Sequence, residues 1–171
     1  MLIERLGWIK SGEIVMKMVH KDGSVEIRRM QNVIVDDASL LMAQLMSGLP
    51  VVAPGIVVLA VGTGDPGWDL QNPPIATAAQ HLLVNEIERK TFDSVTYIDG
   101  LGNPTVTRTN IVDFETKYLD TEAVGALVEM GLFGGTNATL PGGGTMVNYH
   151  TFPVWNKPST STLTITWRLT F

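Results

Sequence analysis

The chain has no cysteine. A disulfide framework and a Cys–His nucleophile are therefore excluded, and the redox compartment leaves no mark on the composition. Charge is scarce as well. Only 17% of the 171 residues are Asp, Glu, Lys or Arg, where about 25% is ordinary. The formal net charge is -5, and no run of basic residues occurs. Nucleic-acid phosphates need clustered Lys and Arg, so no nucleic-acid partner is expected. No long hydrophobic run is present. The most apolar stretch, Pro54 to Val61, is far shorter than the ~20 residues that cross a bilayer, so no membrane association is expected. Met1-Leu2-Ile3-Glu4-Arg5 lacks the basic-then-apolar order of a secretory leader.

Alternation dominates what remains. Near the end of the chain, Leu163, Ile165, Trp167, Leu169 and Phe171 share one parity, and Thr162, Thr164, Thr166, Arg168 and Thr170 share the other. Successive strand side chains point to opposite faces, so 161–171 is expected to be a strand with one buried face. At about 3.3 Å per residue it would span roughly 36 Å. Inward-facing Trp167, Leu169 and Phe171 predict that this terminus is sewn into a sheet. Glu13 to His20 also alternates, with Ile14, Met16 and Met18 on one side. Lys21-Asp22-Gly23-Ser24 follows, and Asp-Gly between alternating runs predicts a hairpin to Val25–Met30.

Asp36-Asp37 precedes an apolar-periodic run ending at Gly48. This predicts a helix capped by Asp, with Ala38, Leu41, Met42, Leu45, Met46 and Leu49 on its buried face. A second short helix is expected from Ala78 to about Asn85, capped by Thr77, with Glu86 and Glu88 on a solvated face beside Arg89 and Lys90. Ile56 to Val61 is expected to be a strand buried on both faces. The glycines of Gly62-Thr63-Gly64-Asp65-Pro66-Gly67 lack the following Lys-Ser/Thr of a phosphate loop and are expected to form a turn. Further strands are expected over Thr91 to Tyr97, Thr105 to Lys117, Val124 to Phe133 and Met146 to Phe152. A bend is expected over Pro153–Pro158, and an exposed loop over Gly134–Gly144.

Candidate chemistry is sparse. His20, His81 and His150 have no second ligand type at metal-site spacing, so no metal and no cofactor are expected. Asp36/Asp37 and Glu86/Glu88 do not mark a carboxylate pair across a cleft. No Gly-x-Ser-x-Gly elbow is present. Asn137-Ala138-Thr139 matches a glycosylation sequon without a leader to support it. An enzyme is not expected. Low charge together with 44% hydrophobic residues suggests a chain that covers part of its surface with copies of itself or another protein.

The order of short motifs carries more. Leu59-Ala60-Val61-Gly62-Thr63-Gly64 is followed by Leu83-Val84-Asn85-Glu86 with Arg89 close behind. Then come Val128-Glu129-Met130-Gly131-Leu132-Phe133, Gly144-Thr145-Met146-Val147, Phe152-Pro153-Val154-Trp155-Asn156-Lys157 and the ending Leu163-Thr164-x-x-Trp167-x-x-x-Phe171. Over most of Glu13 to Phe171 the chain resembles a group of tailed-bacteriophage virion structural proteins. The resemblance implies a capsid decoration or head-fibre accessory protein, located in the virion after assembly in the bacterial cytoplasm. The alternative it leaves open is a tail collar, baseplate or fibre component, one version of which binds host glycan through Trp68, Tyr149 and Trp155.

The expected architecture is mainly β, a two-sheet sandwich or jelly-roll-like domain with one or two short helices. Residues 1–12 are expected to form an N-terminal arm or edge strand ahead of a domain over 13–171. The expected partners are copies of itself, as a trimer, and the major capsid protein or tail proteins. Contacts are expected at Trp8, Ile9, Trp68, Asp69 and Leu140, that is, in the arm and in the loops Asp65–Asn72 and Gly134–Gly144.

Overall fold

The computed structural model of the chain describes residues 11–47 and 54–171. Two antiparallel sheets pack face to face. The first contains β1 (Ser11–His20), β2 (Val25–Gln31), β6 (Ser94–Ile98), β7 (Pro104–Thr105), β8 (Ile111–Tyr118) and β11 (Ser161–Thr170), in the order β2-β1-β11-β8-β6-β7. The second contains β3 (Val33–Ile34), β4 (Ile56–Gly62), β5 (Glu86–Thr91), β9 (Gly125–Gly134) and β10 (Thr145–Lys157), in the order β3-β10-β9-β4-β5. One helix, α1 (Ala38–Met46), links β3 towards β4. The mainly-β two-sheet sandwich with a short helix is the architecture that the alternation predicts. β1 begins at Ser11, inside the stretch expected to be an arm.

β11 lies in the middle of its sheet, between β1 and β8. Leu163, Ile165, Trp167 and Leu169 have no solvent exposure. They meet Ile14, Met16 and Met18 of β1 and Leu59, Val61, Met130 and Leu132 of the opposite sheet in the main core. Threonines on the other parity of β11 are half-buried on the outer face.

A second, smaller core lies on the other side of the five-stranded sheet. Val58, Ala60, Phe133, Met146 and Tyr149 pack there against Leu83 and Ala138. That sheet is therefore covered on both faces, by the sandwich partner on one side and by irregular chain on the other.

Several local expectations are overturned. Residues 78–85 form no helix beyond a single turn closed by Gln80 N–H on Thr77 O. Their last two backbone N–H groups are taken by a buried carboxylate instead, described below. The expected strand from Thr105 to Lys117 is broken over 106–110, and Val106 is fully exposed. Threonine hydroxyls compete with the ladder there: Thr105 Oγ1 accepts from Thr107 N–H, and Thr109 Oγ1 donates to Ile98 O. The bend expected at Pro153 is instead part of β10. A register shift between Thr151 and Trp155 accommodates the missing proline N–H.

The Asp cap of α1 is also absent. Asp37 makes no side-chain cap bond, and its carboxylate lies 2.7 Å from His81 Nδ1. Only Ala38 and Leu41 of the expected apolar face are buried, whereas Leu45 and Met46 are exposed. Gly48 and Leu49, expected at the end of this helix, lie outside the described residues, as do Trp8 and Ile9.

Candidate functional site: the clamped outer layer of the five-stranded sheet

The outer layer is held by two buried polar groups. Glu129 on β9 has no solvent exposure. Its Oε1 accepts from Asn85 N–H at 2.7 Å and Gly64 N–H at 3.1 Å. Its Oε2 accepts from Val84 N–H at 2.9 Å and the Tyr149 hydroxyl at 2.7 Å. A desolvated carboxylate is tolerated only with such compensation. Four donors from three segments therefore make Glu129 the tie between β9, β10 and both ends of the 63–85 crossing. Burial and the neighbouring Glu129 charge push the Tyr149 phenol well above its ordinary range. Gly62 lies so close to Asn85 O and the Glu129 side chain that a Cβ has no room. Gly64 has φ +65, and a Cβ on it would meet the Trp68 ring.

The second tie is Arg89 on β5. Its Nε and Nη2 donate to Glu86 Oε1 and Oε2 at 2.8 and 2.6 Å. Its Nη1 donates to Ala138 O and Gly143 O, both at 2.6 Å. Its Cζ lies 4.2 Å from the centroid of the Phe133 ring, which adds a cation–π contact. The solvated face expected for Glu86 is thus a buried ion pair, with Arg89 4% and Glu86 16% exposed. Residues three apart in a strand point to opposite faces. The register shift between Val61 and Gly62 in the β4–β5 pairing brings these two to the same one. The glycine-rich loop expected to be wholly exposed is accordingly part of the layer, with Gly135 and Ala138 buried.

A third buried group, Lys157, donates from Nζ to Leu119 O and Asp120 O, and burial lowers its pKa. It secures the 119–122 turn, which Lys90 also holds through Glu122 at 2.7 Å.

Trp68, Asp69 and Leu140 fall on this layer but not at one place. Trp68 is half-buried and packs on Gly64, close to Val128 near the start of β9. Asp69 is exposed and accepts from Gln71 N–H and Asn72 Nδ2, which hold its carboxyl below the usual range. Leu140 is exposed on the loop beyond the other end of β9. Tyr149 and Trp155 are in the core, so neither can stack on a sugar ring beside Trp68.

One constellation escapes sequence reading. Ser161 Oγ is 2.8 Å from His20 Nδ1, and His20 Nε2 is 2.8 Å from Glu26 Oε1. Glu26 Oε2 accepts from Trp155 Nε1, and this bond, followed by His20, keeps the Glu26 carboxyl below its usual range. The atom order matches a nucleophile–base–acid relay. However, Ser161 is 1% exposed and shares the inward parity of Leu163. The adjacent crevice, about 380 Å³, is lined by Val19, His20, Lys21, Asp120, Ser159, Thr160 and Thr162. A substrate carbonyl there does not reach the serine oxygen, so the relay serves as a polar cap on the end of the core. Among the described residues, no group of three His, Asp or Glu side chains is placed to hold a metal ion, and no helix is long and apolar enough to cross a membrane.

No protein-family model matches the chain, and no similar protein is found among curated ones.

Proposed function

We propose that the chain is a non-enzymatic accessory protein of a tailed-phage particle, a decoration or head-fibre piece that docks on the capsid exterior. The observation that supports this reading is where the motif residues meet. Gly62, Gly64, Glu86, Arg89 and Glu129, which carry the resemblance, converge on the two polar ties of the outer layer. Leu163 and Trp167 lie in the main core. Every one of them acts in holding chain to chain, and the buried charges have their partners inside the molecule. An acid–base enzyme instead needs such groups turned towards a substrate.

The layer's outward surface suits protein contact. Ile75, Leu82, Val84 and Leu140 are exposed on it, and large apolar side chains on ordered loops favour association. Partners of the expected kind are further copies of the chain, as a trimer, and the major capsid protein.

Gold-labelled antibody against the chain, imaged on intact particles, tests the reading. Label on the head is the expected result. Label on the tail moves the protein to a collar, baseplate or fibre role, and particles without label overturn the virion assignment.

A further inference from the structure

The end of the sandwich where the chain enters β1 is apolar and open. Ser11 lies opposite Thr170, so the chain enters the sheet beside Phe171. Phe171 lines a trough of about 180 Å³, whose other walls include Leu41, Met42 and Leu45 of α1, Ile56 and Phe114. The helix carries no charged residue and leaves Leu45 46% and Met46 66% exposed. Water in such a trough finds no hydrogen-bonding partners, so filling it with an apolar group is favourable.

Its size limits the occupant. A cavity of about 150 Å³ accepts a benzene-sized ring, so the trough seats one bulky side chain rather than a second helix. The nearest unassigned supply is the segment before Ser11, whose sequence contains Leu2, Ile3, Leu6, Trp8 and Ile9. Trp8 stands three positions ahead of Ser11, a reach of about 10 Å at 3.3 Å per residue. A tethered group acts at an effective concentration on the order of millimolar, which favours it over the same group from another molecule.

We propose that the trough between α1 and Phe171 is the seat of the Trp8 side chain of the same chain. Trp8 then acts within the molecule, in place of the neighbour contact expected for it, and the loop contacts proposed above are unaffected.

The full chain labelled with 5-fluorotryptophan gives one fluorine resonance for each of its four tryptophans, and Trp8→Phe assigns one of them. Leu45→Glu places a charge on the trough wall at a half-exposed position that tolerates it. Met42→Ala widens the trough without adding charge. The expected result is a Trp8 resonance away from the free-tryptophan position that moves in both variants, at every protein concentration, while those of Trp155 and Trp167 stay. A Trp8 resonance at the free position, or one indifferent to both variants, overturns the seat. A response seen only at concentrations where the chain self-associates overturns the same-chain occupant and assigns the trough to a second copy.

Discussion

Glu129 is the residue on which the outer layer depends. Removing a buried charged partner leaves its donors without acceptors, at a cost of about 3–5 kcal/mol. Glu129→Ala is expected to lose at least that much in urea denaturation, whereas Tyr149→Phe, which deletes one of four donors, is expected to lose about 1–2 kcal/mol. Equal losses would show that the carboxylate is not the centre of the node. His150 gives a pH signature. Burial lowers its pKa below the ordinary 6.5, so the unfolded chain takes up the proton first as pH falls. Stability is full above 6.5 and declines as pH drops through that value towards the lowered folded one. Thermal melts of His150→Phe are expected to depend less on pH below 6.5 than those of the parent chain. A parallel dependence would exclude His150 as the titrating group. Neither residue announces its role in the sequence. Glu129 sits in an apolar run, and the donors nearest to it in sequence are 20 residues away.

At the scale of elements, β11 and α1 contrast. β11 is flanked on both edges and buries Trp167 completely. Trp167→Ala is expected to cost about 3–5 kcal/mol. Loss of 166–171 is expected to abolish cooperative unfolding, and a sharp transition in that truncation would contradict the central place of the strand. α1 is held from outside its own turn, by the Asp37–His81 contact. Asp37→Ala and His81→Ala are therefore expected to cost the same, under about 1 kcal/mol for so exposed a pair. The double variant is expected to cost no more than either. A larger loss in Asp37→Ala alone would restore the cap. The strand was legible because Leu163 to Phe171 alternate without a break. The Asp37 role was not, because an Asp before an apolar run looks the same whether it caps the helix or bonds a histidine 44 residues on.

At the scale of the whole molecule, the proposed role requires assembly. Sedimentation of the purified chain is expected to give a multiple of its 18.6 kDa mass, three for the proposed trimer. A monomer at every concentration, on particles that carry no label, would leave the accessory role without support. Strand parity, the β1–β2 hairpin and the two-sheet class were written in the order of residues, because a period of two and an Asp-Gly turn are relations between neighbours. The clamped outer layer was not. It depends on one register shift that turns Glu86 and Arg89 to the same face, and on a carboxylate meeting backbone 45 residues upstream. Such long-range pairings follow from how the sheets close on each other, and no local pattern encodes them.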